Sequence, residues 1–177
     1  MSKSKKPLPA TAVSPFRDDF SEQTTTVLRR LLPDTDVSSI PLFGVANTVG
    51  RLLNTFNDQN LKPFACSYTE YLVLGMLRTT SDGKGLSPTV LNDILMQTSG
   101  GLTQTIKRLE QAGFISRAPN PEDGRSVIVE LTRAGEDLAD RMLAAQAEAQ
   151  NQKLAWLDES QRQQLLESLQ LMVKLFR

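Results

Sequence analysis

Residues 86–131 carry, in order, a proline-marked helix start, a second helix start, a glycine stop and two short apolar runs around a turn-rich loop. Few folds accept that order in so short a stretch. Ser87-Pro88 joins an N-cap residue to proline at the first helical position, where the missing N–H is no loss. The helix so begun, with Val90, Leu91, Ile94 and Leu95, has room for only about two turns. A second start falls at Thr98 or Ser99, and that helix sets Leu102, Ile106 and Leu109 on one face before Gly113 stops it. Strands are predicted over residues 114–117 and 127–131, where Val127, Val129 and Leu131 alternate with Ile128 and Glu130. Residues 118–126 between them are rich in turn formers. This is the pattern of a winged helix-turn-helix, whose second helix fits the major groove with its first turn facing base edges.

The flanks are helical. A short helix over residues 20–32 carries Val27, Leu28, Leu31 and Leu32 and ends at Pro33. Leu42, Val45, Ala46, Val49, Leu52, Leu53 and Phe56 form one helical face, which Asn57, Asp58, Asn60 and Pro63 are expected to break. Ser67 and Glu70 make an S-x-x-E capping box for a helix through Tyr71, Leu72, Leu74, Met76 and Leu77, followed by a loop over residues 79–85. From Thr132 onward the chain reads as helix, with a break at residues 157–160. Its last helix carries Leu165, Leu166, Leu169, Met172, Val173 and Phe176. The expected fold class is mainly α: a winged helix-turn-helix with N- and C-terminal dimerisation helices. Residues 1–36 read as a tail with a short helix and residues 37–177 as one winged-helix domain. Within it the reading head spans about 67–131 and the dimerisation helices about 38–58 and 132–176. The apolar faces of residues 42–56 and 165–176 exceed what the head can cover, so they are expected to bury each other across a two-fold axis.

The chain has one cysteine, Cys66, and no histidine. No intrachain disulfide, imidazole ligand or imidazole base is available, which removes Cys/His zinc sites, Ser-His-Asp hydrolysis and Cys-His thiol catalysis. Without a glycine-rich phosphate loop after a strand, an enzyme is not expected, nor a metal or cofactor. No apolar run approaches the roughly 18–20 residues of a membrane helix. The Lys-, Pro-, Ser- and Thr-rich start reads as a solvated tail of a cytoplasmic protein.

The second helix suits DNA reading. Ser99, Thr103 and Gln104 can donate or accept, and Gly100 and Gly101 allow close backbone approach where N–H groups and the helix dipole favour an anion. Lys107 and Arg108 can meet phosphates. At the hairpin tip Arg125 can enter the minor groove, oriented by Asp123. With Ser87 and Thr98 these residues make the expected double-stranded DNA interface. From Ser87 to Ser126, Lys107, Arg108, Arg117 and Arg125 are matched by Asp93, Glu110, Glu122 and Asp123. Affinity must therefore come from placement, dipoles and doubled contacts. A neutral winged helix can also be a protein-interaction module without specific DNA binding, and that alternative stays open at this point.

The sequence resembles the multiple-antibiotic-resistance regulator (MarR) family over roughly residues 42–176. The resemblance rests on Leu86-Ser87-Pro88, Thr98-Ser99-Gly100-Gly101-Leu102-Thr103, and the run from Arg108 to Ile115. The run from Arg117 to Arg125, with its Asp123-Gly124-Arg125 wing, and Leu131-Thr132-Arg133-Ala134-Gly135 continue it. It implies an obligate homodimer on a palindromic operator, often a repressor, released when a small aromatic or phenolic molecule fills a cleft beside the dimer helices. On that basis Phe43, Asn47, Arg51, Tyr68 and Tyr71 are candidate effector residues, with Arg51 suited to a carboxylate. The sequence departs from the family pattern at Asn92, usually alanine, and at Gln97, usually apolar. The family's urate sensors use an early tryptophan, whereas the one tryptophan here is Trp156. Cys66 stands where leucine is usual and is expected to act as a small buried hydrophobe.

Overall fold

The computed structural model describes residues 18–80, 85–96, 98–121, 123–124 and 126–176. Seven helices and two strands follow one another among these residues: α1 (Asp18–Leu31), α2 (Ser39–Leu61), α3 (Tyr68–Thr80), α4 (Pro88–Leu95), α5 (Ser99–Gln111), β1 (Ile115–Pro119), β2 (Val127–Leu131), α6 (Arg133–Lys153) and α7 (Glu159–Lys174). They group into two units, residues 56–155 and the flanking residues 1–55 with 156–177. Of the expected tail over residues 1–36, residues 1–17 lie outside the described residues.

Within residues 56–155 the core gathers Leu61, Val73, Leu74, Leu77, Leu91, Leu102, Ile106, Leu109, Ile115, Val129, Leu138, Ala139 and Met142. Each of these side chains other than Ala139 contributes about 1.5–3 kcal/mol when removed from water. The apolar stripes of α3, α4, α5 and α6 all point into this one cluster. A two-pronged bond from Arg78 to Asp140, at 2.8 and 3.0 Å, pins α3 to α6 at the surface. It holds the Asp140 carboxyl below the usual carboxylate range. Thr132 caps α6 by accepting from Gly135 N at 3.1 Å, while its hydroxyl donates to Gly113 O at 2.7 Å. The end of α5 and the start of α6 are thereby joined.

Four boundaries differ from the sequence reading. α2 continues through Asn57, Asp58 and Asn60 to Leu61. Asparagine costs a helix only a fraction of a kcal/mol, roughly 0.6, and here Asn57 is buried and accepts a hydrogen bond from Gln146 of α6. Leu61, fully buried, anchors the last turn, and Pro63 turns the chain into a short 3-10 segment. Thr79 and Thr80 belong to α3, not to a loop, because their hydroxyls donate back to Gly75 O and Met76 O. Ala118 and Pro119 complete β1 opposite Ile128 and Val127, whereas Phe114 precedes the strand. Ile128 is buried as well as Val129, so β2 is covered on both faces.

The segment before α4 pairs with the free edge of β2. Leu86 and Val129 exchange both main-chain bonds, Leu86 N to Val129 O at 2.9 Å and Val129 N to Leu86 O at 2.8 Å. Gly85 leads in at φ +73°, and a Cβ there would stand 2.7 Å from Val129 O and 3.3 Å from Ile128 Cδ1. Only glycine supplies that turn without a clash.

In the other unit, the apolar faces of α2 and α7 stay open. Leu42, Leu52 and Leu53 are more than half exposed, as are Leu171, Val173 and Phe176. Phe43 meets Phe176 edge to face with centroids 5.9 Å apart. The break between α6 and α7 is closed by Asp158, whose capping box with Gln161 starts α7.

Candidate nucleic-acid interface

α4 and α5 are set by their caps. Ser87 Oγ accepts from Val90 N at 3.2 Å, and Thr98 Oγ1 accepts from Gly101 N at 3.3 Å. Between the helices Met96 takes the left-handed conformation at φ 50° and ψ 37°, and Gln97 lies outside the described residues. A left-handed non-glycine residue costs about 1–2 kcal/mol, and Met96 is 74% exposed, so its side chain returns little. Met96→Gly is expected to raise stability by roughly 0.5–1 kcal/mol after glycine's own entropy cost, read as a higher urea midpoint with an unchanged slope.

α5 turns Leu102, Ile106 and Leu109 inward, each at most 2% exposed. Gly100, Thr103, Gln104, Lys107 and Arg108 are exposed on the other side. Ser99 is the first residue of α5. Seven of the predicted interface residues, Gly101 among them, thus share one helix, preceded by the caps Ser87 and Thr98. In the loop between the strands, Asn120 N donates to Ser126 O and Asn120 Nδ2 to Ser126 Oγ, both at 2.9 Å. Ser126 N in turn donates to Asp123 O at 2.9 Å. Asp123 and Gly124 are exposed at the tip. Arg125 and Glu122 lie outside the described residues.

Arg108 is not a lone surface cation. Its Nε stands 3.4 Å from Oε1 of Glu70, whose side chain is only 12% exposed. Arg117 Nε likewise meets Glu110 Oε2 at 3.1 Å. Sequence reasoning placed Glu70 only in the α3 cap, because no local spacing joins it to α5.

Tyr68 and Tyr71 come together in the first turn of α3, their rings stacked at 5.8 Å and 21°. Burial first, then Tyr68, pushes the Tyr71 hydroxyl above its ordinary range. Phe43, Asn47 and Arg51 occupy one exposed stripe of α2, where Arg51 Nη2 reaches Thr48 Oγ1 at 3.5 Å. Cys66 is half-buried against the core, and burial, then the Glu70 carboxylate, pushes its thiol up. Asn92 Oδ1 is buried with no hydrogen-bond partner among the described residues. Among the described residues no group of three or more His, Cys, Asp or Glu side chains could hold a metal ion. No helix among them is long and apolar enough to cross a membrane.

Comparison with known proteins matches residues 67–126 to the family described as MarR family. The transcriptional regulator PecS of Dickeya dadantii (strain 3937) is 30% identical over 133 residues, which are 75% of this chain and 80% of PecS. This chain belongs to the MarR family. It is a transcriptional regulator of that type, and its mainly helical winged fold is the family's. A mutant MarR from E. coli, solved in complex with operator DNA, superposes with a TM-score of 0.67 at 23% identity, covering 78% of this chain and 99% of that one. S. aureus MepR, solved with DNA, gives 0.66 at 21% identity over 73% and 94% of the two chains. These likenesses concern the MarR fold alone.

Proposed function

We propose that this MarR-family chain is a cytoplasmic homodimeric repressor that reads a palindromic operator in double-stranded DNA and releases it on binding a small aromatic acid. The observation that carries the reading is α5. Its polar, glycine-led face, Gly100 to Arg108, is exposed opposite a fully buried apolar stripe, as a helix entering a major groove requires. PecS is named a transcriptional regulator, and the MarR and MepR structures hold DNA, which supports the same use here. Residues 1–36 then form an extension bearing α1, residues 67–131 the reading head, and residues 38–58 and 132–176 the dimerisation helices. The open apolar faces of α2 and α7 are what a two-fold partner would cover. Arg51 is assigned the effector's carboxylate, with Phe43, Asn47 and the stacked Tyr68 and Tyr71 its ring.

In this reading the dimer helices set the distance between two α5 helices, which must match major grooves about 34 Å apart. An effector favouring another separation weakens DNA binding only by its differential affinity for the two states. The test is fluorescence anisotropy with the DNA upstream of the chain's own gene, at two salt concentrations. Wild type should bind tightly against competitor, and Arg125→Ala should weaken binding roughly tenfold by removing the minor-groove contact. Binding no better than to random duplex, by a wild type also offered fragments of its whole genome, would favour a protein-interaction module instead.

A further inference from the structure

Glu70 joins two elements that its capping role alone does not require. Oε2 accepts from Ser67 N at 2.7 Å and from Ser67 Oγ at 2.8 Å, while Glu70 N donates to Ser67 Oγ at 3.3 Å. These bonds hold the carboxylate still at the start of α3. The other oxygen, Oε1, is turned to Arg108 Nε on α5 at 3.4 Å. The acid is nearly buried, yet the arginine side chain it faces is 59% exposed. An exposed arginine has many rotamers and loses side-chain entropy when a ligand fixes it. A fixed carboxylate on Nε removes part of that loss beforehand and orients the guanidinium plane. Arg108 also lies four residues after Gln104, on the same exposed stripe and about 6 Å further along the axis.

We propose that Glu70 is a positioning residue for the DNA interface: it holds Arg108 of α5 in place as a phosphate contact, so that the first turn of α3 and the reading helix act as one body. The proposal rests on the DNA-binding reading above and adds a residue that touches no DNA. Two substitutions isolate it. Arg108→Lys keeps the charge at an exposed position but loses the planar Nε donor. Glu70→Gln keeps a capping-box residue, whose amide oxygen still accepts from Ser67, but presents an uncharged amide to Arg108.

The experiment measures operator affinity and its salt dependence by anisotropy for wild type, Arg108→Lys, Glu70→Gln and the double variant, with random duplex as the parallel ligand and thermal melting as the fold control. Arg108→Lys should bind three- to tenfold more weakly with an unchanged salt slope. Glu70→Gln should lose a similar factor, and the double variant no more than either single. Arg108→Gln should lower the salt slope by about one. Arg108→Lys binding as wild type does, Glu70→Gln binding more tightly, or single losses that multiply in the double would each overturn the positioning role while leaving the DNA reader intact. Should Glu70→Gln fail to melt as a folded protein, the Arg108→Lys result decides alone. Wild type failing to prefer operator over random duplex overturns both readings at once.

Discussion

Gly135→Ala is expected to destabilise the protein by about 3 kcal/mol, at the upper end for overpacking. A Cβ on Gly135 would stand 1.9 Å from Phe114 O and 2.9 Å from Phe114 C. These are backbone atoms, and they cannot swing aside as a side chain can. The carbonyl is also held, because Thr132 N donates to Phe114 O at 3.0 Å. Relief would have to lift α6 from the end of α5 and break the Thr132 bonds to Gly135 N and Gly113 O. Chemical denaturation should show a large fall in midpoint. A variant within about 0.5 kcal/mol of wild type, the range of neutral surface changes, would mean that α6 sits further from Phe114 than described.

The second large effect concerns a buried amide pair that spans helices. Gln146, 1% exposed on α6, donates through Nε2 to Oδ1 of Asn57, 7% exposed at the end of α2. Gln146→Leu removes the donor and strands a buried carbonyl, so a loss of about 2 kcal/mol is expected. Asn57→Leu alone should cost a similar amount by stranding the glutamine amide. The double variant should recover most of the loss, since two apolar side chains replace two partners together. A double-mutant cycle measures this directly. Strictly additive losses would show that the amide pair is not what holds α2 to α6.

How far the sequence could be read depended on how local each determinant was. The ends of α4 and α5 were legible because Ser87, Thr98 and Gly113 act within one turn of themselves. The run of α2 past Asn57 was not, because its hydrogen-bond donor lies 89 residues further along the chain. Read alone, Asn57 is a helix breaker; satisfied by Gln146, it is a core residue. The pairing of Leu86 with Val129 and of Glu70 with Arg108 leaves no local signal for the same reason. The apolar stripes of α2 and α7 were plain in the sequence, but periodicity states only that a face wants cover, not what covers it. The interface residues of α5 were placed by helical phase, whereas Arg125 was reached through its motif and lies outside the described residues.

The bond between Leu86 and Val129 makes the hairpin a crank. Ser87, the next residue, is the cap from which α4 starts, so sheet and helix are separated by a single peptide step of about 3.8 Å. A displacement of β2 is therefore expected to pass through two main-chain hydrogen bonds into the start of α4. It need not pass through the softer side-chain packing of the core. A hairpin displaced from outside is therefore expected to carry the start of α4 with it.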